Sequence, residues 1–272
     1  MNLADLQLTL VTGSYTLVKW SRLLNSSWGR RLFTRSYFFY KRHMEDPFFH
    51  LISRHPELFR GGHVIDVGAN IGYTAAQFAR ATDSGFCVYA FEPEDLNFAL
   101  LTEMLNSFHL RGRIVPIHAA VGASDGTVEL ARNESHPADH RIATSVFRRS
   151  EAAKNIVVAQ LRSIDSFVET AKLASVRFIK IDVQGYEPAV CWGMERTLAA
   201  NPACTVVLEY APSAISALGF NPSELLRWFR DRDYEVHTLH HNGTISPGVP
   251  DDLGSEGYSD LLFSRSPKRA PK

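Results

Sequence analysis

Apolar and polar positions alternate along the chain, from residue 63 onward, in blocks that are typical of an α/β domain. Two apolar runs, 64–67 and 86–91, are predicted as buried strands, and the amphipathic stretches after them, 74–80 and 95–107, as helices. Further strands are predicted at 113–118, 127–131, 156–161, 177–183, 205–209, 234–239 and 260–263. This alternation predicts a mostly parallel sheet with helices on both faces, whose ligand site lies beyond the carboxyl ends of the strands.

The second half of the chain also carries helical patterns. Helices are predicted at 164–171, at 188–200 and through Phe229, where Asn221 or Ser223 is the candidate cap. A polar loop is predicted at 132–154.

The first sixty residues are less regular than the rest. The apolar positions from Leu6 to Leu24 could share one face of a helix. We therefore divide the chain into a helical, basic and aromatic extension at 1–60, an α/β domain at 61–264 and a flexible tail at 265–272.

The composition is that of a globular protein, since 45% of the 272 residues are hydrophobic, 21% are charged and the formal net charge is zero. The charge is unevenly placed, because no acidic residue lies between Asp5 and Glu45 while seven lysines and arginines do. The stretch 19–43 permits three interpretations. It covers the acceptor site, it binds an acidic or lipid-linked acceptor or the membrane surface itself, or it is packed structure with solvated charged tips, which we favour.

The cysteines and the chain start bear on location. Cys87, Cys191 and Cys204 are far apart and odd in number, so they indicate neither a disulfide framework nor a metal site. The sequence shows no secretory signal and no apolar run of membrane length. We expect a cytoplasmic protein.

The segment from Asp66 to Thr74 reads DVGANIGYT and joins the first predicted strand to its helix. Gly68 allows a tight turn and a close backbone approach to a ligand, and Gly72 allows close packing of helix on strand. Glu92, about twenty residues further on, ends the second strand, where a carboxylate can accept hydrogen bonds from ribose hydroxyls. The pattern favours a nucleoside site, although these polar residues could also merely cap helices and turns.

The sequence also narrows the identity of the nucleoside ligand. Asn70 and Tyr73 stand where a dinucleotide loop needs glycine, and no Gly-Lys-Ser/Thr follows. Asp66 would repel a pyrophosphate but suits the ammonium and sulfonium groups of S-adenosylmethionine (SAM). SAM is therefore the expected cofactor.

Several ordered motifs make the chain resemble the FkbM family of SAM-dependent methyltransferases. They are the segment 64–74, Phe91-Glu-Pro93 with Asn97, Ala120-Val-Gly122 with Asp125-Gly126, Ile164-Asp165, the segment 179–187 (IKIDVQGYE) and Glu209. The resemblance covers about residues 63–239. It implies a class I, Rossmann-like methyltransferase fold of seven strands with the last one antiparallel. It also implies O-methylation of a sugar, glycan or secondary metabolite.

The resemblance carries over the cofactor-binding residues. Asp66, Gly68, Asn70 and Gly72 would touch the methionine part of SAM, Glu92 would hold the ribose, and Val121 and Asp125 would border the adenine. The full expected set is Asp66, Gly68, Ala69, Asn70, Gly72, Tyr73, Thr74, Glu92, Pro93, Asn97, Val121, Asp125 and Asp182. Gln184 departs from the family, which usually has Glu there, so an acid–base or metal role at that position is in doubt.

Methyl transfer to an alcohol calls for a positioned acceptor and often for a general base. Asp182, at the end of the fourth strand, is the first candidate, and Glu187 and Glu209 could share the catalytic work; Asp182 could also be purely structural. These three carboxylates could bind a divalent metal, but we expect none. His136 and His140, in the polar loop, could contact a glycan or simply be solvated.

Two other functions remain open at this point. One is N-methylation of RNA or protein, although we expect no nucleic-acid partner. The other is a catalytically silent SAM-binding module, which Gln184 alone supports. The expected partner is a small-molecule or glycan acceptor.

Overall fold

The computed structural model describes residues 27–44, 46–131, 141–144, 156–250, 253 and 257–265. The helix suggested between Leu6 and Leu24, His136, His140, most of the polar loop and the tail beyond Arg265 lie outside the described residues.

Nine helices and a 3₁₀ turn are present in the described part of the chain. They are α1 (Ser27–Met44), α2 (Phe48–Arg54), the 3₁₀ turn Pro56–Phe59, α3 (Tyr73–Ala81), α4 (Asp95–Ser107), α5 (Ile164–Thr170), α6 (Glu187–Trp192), α7 (Glu195–Ala200), α8 (Pro212–Ala217) and α9 (Pro222–Arg230). The predicted cap Asn221 accepts a hydrogen bond from the backbone of Ser223 and starts α9.

The main sheet has eight strands. They are β1 (His63–Val67), β2 (Val88–Phe91), β3 (Ile114–Ile117), β8 (Val176–Ile181), β9 (Thr205–Tyr210), β10 (Glu235–Leu239), β11 (Ile245–Pro247) and β12 (Ser259–Ser264). Their order in the sheet is β11-β10-β12-β9-β8-β1-β2-β3. Five neighbouring strands, β3, β2, β1, β8 and β9, run parallel, and β12 is antiparallel to β9. The predicted sheet is confirmed, and the short edge strand β11 adds to it.

A second, four-stranded sheet has the order β4-β7-β5-β6. Its strands are β4 (Ala120–Val121), β5 (Gly126–Ala131), β6 (Arg141–Ile142) and β7 (Ile156–Arg162). The predicted strands 127–131 and 156–161 are thus present, and they pair antiparallel with each other. Leu130 and Ile142 are buried in a small cluster of their own beside Ala120.

The helix predicted at 188–200 is two helices, α6 and α7, and this part of the prediction was wrong. A side chain at Gly193 would overlap the carbonyl oxygen of Gly122, so the chain bends where these backbones meet. The carboxylate of Asp165 then accepts hydrogen bonds from the backbone of Arg196 and Thr197, at 3.0 and 2.7 Å, and caps the start of α7.

Successive side chains of a strand point to opposite faces of the main sheet, and each face packs against its own hydrophobic core. Ile179 and Ile181 of β8 point to the core that contains α6 to α9, whereas Phe178 points to the core that contains α2 to α4. Phe48 and Phe59, which precede β1, are buried in the second core, and the ring centroid of Phe59 lies 4.5 Å from that of Phe178. The division of the chain at residue 60 stays a prediction.

In the described part of the chain, none of the helices combines the length and the apolar character needed to cross a bilayer.

Candidate active site

The loop that follows β1 lies against the loop that follows β8, at the carboxyl edge of the sheet. Gly68 has a φ of +75°, and a side chain there would overlap the carbonyl oxygen of Asp182. Gly72 has a φ of +87° and precedes α3, and a side chain there would overlap the side chains of Leu101 and Met104. The two loops can approach this closely only because residue 68 has no side chain.

Glu92, which follows β2, ties the loop after β1 to the segment after β2. Its carboxylate accepts hydrogen bonds from the backbone N–H of Asn70 at 2.8 Å and of Glu94 at 3.0 Å, and Asn97 also hydrogen-bonds it. Burial raises the pKa of Glu92 to about 7. Each oxygen of a carboxylate has two lone pairs, so Glu92, which lines the cavity, can still accept from a ligand hydroxyl.

Asp66 lies beneath the loop and is fully buried. It accepts a hydrogen bond of 2.6 Å from the hydroxyl of Thr74, and one of its oxygens lies 3.4 Å from the ammonium nitrogen of Lys180. Burial raises the pKa of Asp66, against the opposite effect of Lys180. Asp66 therefore supports the loop from below. It is not one of the described residues that line the cavity.

Lys180 is a site residue that we did not predict. Its ammonium nitrogen lies 3.5 Å from Asp182 and donates to the carbonyl oxygen of Gly68 at 3.0 Å, while the residue is only 5% exposed. Burial lowers the pKa of Lys180, but Asp182 and Asp66 outweigh this effect and the net shift is upward. The signal in the sequence was a lysine within an apolar strand, since a buried lysine needs a charged partner.

Asp182 is the ionised carboxylate of the site. Burial acts to raise its pKa, but Lys180, Lys41 and the hydrogen bond from Gln184 outweigh burial, and the net shift is downward. Gln184 donates from its amide nitrogen to Asp182 at 3.0 Å and to Glu209 at 3.1 Å. The side chain of Asp182 is 37% exposed and lines the cavity.

Glu209 stays protonated at neutral pH. Its pKa is raised to about 9 by burial first and then by the charges of Asp182, Glu187 and Asp260. Asp260 is directly opposite Glu209 in the β9–β12 register, and burial followed by the charge of Asp182 raises its pKa to about 7. Our sequence reasoning missed Asp260. Because β12 is antiparallel, its beginning, and not its end, lies at the carboxyl edge of the sheet.

Glu187 is placed behind this group. It is fully buried and accepts hydrogen bonds from the backbone N–H of Val183 at 3.0 Å and of Gly185 at 3.2 Å. Burial raises its pKa to about 7. Glu187 shapes the 182–187 turn and does not line the cavity, so the structure brings only Asp182 and Glu209 of the three catalytic candidates to the wall.

One cavity of about 230 Å³ collects most of the predicted site residues. We call the region around the segments 66–74 and 92–97 the loop half, and the region around Asp182, Gln184, Glu209 and Asp260 the carboxylate half. The predicted residues on its wall are Gly68, Ala69, Asn70, Tyr73, Thr74, Glu92, Pro93, Asn97, Val121, Asp182 and Glu209. Gly72 lies under the loop half.

Asp125 is not brought to this wall. Its carboxylate accepts from the backbone N–H of Ser163 at 2.8 Å and from the hydroxyl of Ser166 at 2.7 Å, at the start of α5. These hydrogen bonds lower the pKa of Asp125. The position explains why an acidic residue occurs here without any ligand.

The N-terminal extension contributes to the wall as well. Tyr37 and Lys41 of α1 line the cavity, together with Asp46, which accepts a 2.7 Å hydrogen bond from the hydroxyl of Tyr73. The helix is held to α4 by Phe38, which stacks on Phe108 with ring centroids 5.5 Å apart. The described part of 19–43 therefore reaches the cavity wall through Tyr37 and Lys41.

The residues present fit a SAM-type ligand. Gly68 lets the loops after β1 and β8 come together on the cavity wall, and Glu92 places a buried carboxylate on the wall of the same half. A search of the described residues finds no group of three His, Cys, Asp or Glu side chains that could hold a metal ion.

Comparisons with known proteins agree with this geometry. Residues 66–236 match the methyltransferase FkbM domain. The chain is 30% identical over 134 residues to the hexuronic acid methyltransferase AglP of Haloferax volcanii, which is 49% of this chain and 50% of that protein. The crystal structure of methyltransferase FkbM from Methylobacillus flagellatus KT superposes with a TM-score of 0.50 at 19% identity, over 83% of this chain and 50% of that one.

The chain thus spans about half the length of both relatives. The structural likeness supports the expected class I methyltransferase fold. Because the family match covers more than half of the chain, we conclude that the chain belongs to the FkbM family of methyltransferases.

Proposed function

We propose that this methyltransferase uses SAM to methylate a hydroxyl oxygen on a sugar, a glycan or a secondary metabolite. The observation that carries the proposal is the meeting of a nucleoside-type loop with an ionised carboxylate, Asp182, in one cavity. The relative named as a hexuronic acid methyltransferase supports a sugar-type acceptor.

The loop half would hold the cofactor. Glu92 would accept hydrogen bonds from the ribose hydroxyls, and Gly68 and Asn70 would offer backbone to the methionine part, with Asp66 and Thr74 fixing the loop from below. SAM, when bound, supplies an electrophilic methyl group on a sulfonium.

The carboxylate half would handle the acceptor. Lys180 and Gln184 keep Asp182 ionised at neutral pH, so it is able to receive the proton that an alcohol loses as its oxygen is methylated. Glu209 holds its proton at the same pH and serves as a hydrogen-bond donor instead of a base. Two carboxyl groups whose pKa values lie far apart are suited to separate roles.

The extension 1–60 has a place in this proposal. Tyr37 and Lys41 stand on the wall of the cavity, so α1 would cover the bound acceptor and help to exclude water.

The test is the substitution Asp182→Asn in the full chain. We expect SAM affinity within a few-fold of wild type and turnover reduced by about 10²–10⁴, the usual worth of a positioned base. Calorimetry measures binding, and transfer of labelled methyl to a panel of glycans, metabolites and RNA measures turnover. Glu169→Gln, on an exposed side chain of α5, is the control.

Three results would count against the proposal. Absence of SAM binding would remove any methyl transfer by this chain. Unchanged turnover in Asp182→Asn would eliminate Asp182 as the base. Labelling of RNA alone would favour nitrogen methylation over a sugar acceptor.

A further inference from the structure

We propose that the outer face of α1 binds the surface of a membrane that contains anionic lipids. The inference concerns where the enzyme works and not its chemistry, so it goes beyond the proposed function and does not depend on it. It is carried by the exposed side chains of α1 and by the charge of that helix.

The inner face of α1 is occupied by the rest of the domain. Arg30, Thr34, Phe38 and Lys41 follow one another at spacings of three or four residues, so they lie on one face of the helix. Thr34 is buried, Phe38 stacks on Phe108, and Lys41 lines the cavity. This face fixes the orientation of α1 on the domain.

The outer face of α1 is apolar and exposed. Trp28, Leu32 and Phe39 are 66%, 49% and 68% exposed, and Arg35, also exposed, lies between them in the sequence. Their spacings of four, three and four residues place all four side chains on one face. Single exposed apolar side chains are common on protein surfaces, but a contiguous row of them marks an interaction site.

The charge of α1 indicates what kind of surface this face binds. The helix has five arginines and lysines and no acidic residue. Arg30 forms a salt bridge with Glu103 of α4 on the inner face, whereas Arg35 stands among the apolar side chains of the outer face. A helix with Trp, Leu and Phe on one face and a surplus of cations is typical of helices that lie in the headgroup region of a bilayer. Anionic lipids attract such a helix further.

Charge also argues against two other occupants of the outer face. A second copy of α1 would bring a second set of five cations against the first. The segment 6–26 of this chain contains Lys19 and Arg22 and no acidic residue, so it carries the same sign of charge. Like charges brought together at an interface are unfavourable. An anionic lipid surface complements both the cations and the apolar side chains.

Membrane binding through this face would bring the cavity close to the bilayer. Tyr37 and Lys41 line the cavity from the inner face of α1, while Trp28 and Leu32 stand on the outer face. A helix with its side chains is about 10–12 Å in diameter. An acceptor anchored in the membrane would therefore lie near the cavity.

The experiment is a flotation assay of the full chain with lipid vesicles. One set of vesicles contains phosphatidylcholine and phosphatidylglycerol at a ratio of about 7:3, and the other contains phosphatidylcholine alone. We expect binding to the anionic vesicles to be at least about tenfold tighter than to the neutral ones. Raising the salt concentration from about 0.1 M to about 0.5 M should weaken it, because salt screens the charges.

The apolar side chains are tested by the double substitution Trp28→Ser/Leu32→Ser. It should weaken binding to the anionic vesicles by about 30-fold or more, because two apolar side chains no longer enter the bilayer. Both side chains are exposed, so the variant should fold, which circular dichroism and urea unfolding check. Val158→Ser, on a 70% exposed side chain of β7, is the matched control and should bind like the wild type.

The cation on the outer face is tested by Arg35→Gln. The substitution should weaken binding to the anionic vesicles by about fivefold and leave the neutral vesicles unaffected. Arg227→Gln, on an exposed side chain of α9, changes the net charge by the same amount and should have no effect.

The inference is overturned if the chain does not bind the anionic vesicles, if it binds neutral vesicles equally well, or if the double variant or Arg35→Gln binds no more weakly than its control. Self-association that the double variant loses, without vesicle binding, would assign the face to a second copy. Reduced stability of the double variant, without vesicle binding, would assign it to the segment 6–26. Binding of RNA that is as tight as that of vesicles and is kept in the double variant would indicate a nucleic-acid partner instead. The vesicle assay needs neither cofactor nor acceptor, so a failure of the proposed function would leave its result unchanged.

Discussion

Each half of the cavity is held in place by a different kind of interaction. In the loop half, backbone N–H groups of Asn70 and Glu94 donate to the carboxylate of Glu92. In the carboxylate half, side chains hold one another, since Gln184 donates to both Asp182 and Glu209. The loop half therefore depends on the shape of the backbone, and the carboxylate half depends on a balance of charge.

The largest expected effect comes from changing the backbone shape of the loop half. Gly68→Ala puts a methyl group into the carbonyl oxygen of Asp182 at a positive φ. Overpacking and left-handed strain add to at least about 3 kcal/mol of lost stability, and we expect SAM affinity to fall by about 100-fold or more. Chemical denaturation and calorimetry with SAM measure the two effects.

Gly85→Ala is the matched control. Gly85 also has a positive φ, of +98°, but nothing lies within 4 Å of an added side chain. Gly85→Ala should lower the free energy of unfolding by about 1–2 kcal/mol, through conformational strain alone, and leave SAM affinity unchanged. Equal losses in the two variants would mean that the contact between the loops does not matter.

A second substitution tests the charge balance that joins the halves. Lys180→Met keeps the length of the side chain but leaves Asp66 and Asp182 without their shared cation. Removing one partner of a buried ionic group costs about 3–5 kcal/mol, because the remaining charge is buried and uncompensated. Urea unfolding at neutral pH measures the loss.

Arg177→Met provides the comparison on the same strand. Arg177 hydrogen-bonds the carbonyl oxygens of Glu57 and Ala203 from an exposed position, and such bonds contribute about 1 kcal/mol. A loss for Lys180→Met no larger than that for Arg177→Met would show that Lys180 does not hold the halves together.

The same difference explains what the sequence could predict. The loop half comes from two short segments about twenty residues apart, so its glycines, Asp66 and the acidic strand end at Glu92 could be found by spacing alone. The sheet followed from the order of apolar runs. The carboxylate half assembles residues from β8, β9 and β12, and nothing local to Asp260 indicates its distance from Glu209. Gly193 divided a predicted helix for a similar reason, because its contact with Gly122 is remote in sequence.

Glu187 is the opposite case to Asp260. Its motif predicted a catalytic role, but the structure places Glu187 behind the cavity wall. Burial raises its pKa from an ordinary 4.5 to about 7. Between these values the unfolded chain releases a proton that the folded chain keeps, so this group makes the free energy of unfolding fall as the pH rises through the window. Above about 7 the fall is complete.

Glu187→Gln should therefore change stability in a pH-dependent way. The amide oxygen can still accept from the backbone of Val183 and Gly185, but the side chain no longer ionises. The stability of the variant relative to the wild type should rise from about pH 4.5 to about pH 7, by up to about 3 kcal/mol. Glu92 and Asp260 also have raised pKa values, but the charge of Glu187 is not among the causes, so their contributions cancel in the difference. The charge of Glu187 does help to raise the pKa of Glu209, so this second pKa should fall in the variant. Urea unfolding of both proteins across this range provides the measurement. A difference in stability that is constant with pH would mean that the pKa of Glu187 is the same in the folded and unfolded chains, and an ionised carboxylate would then be buried behind the wall that Asp182 lines.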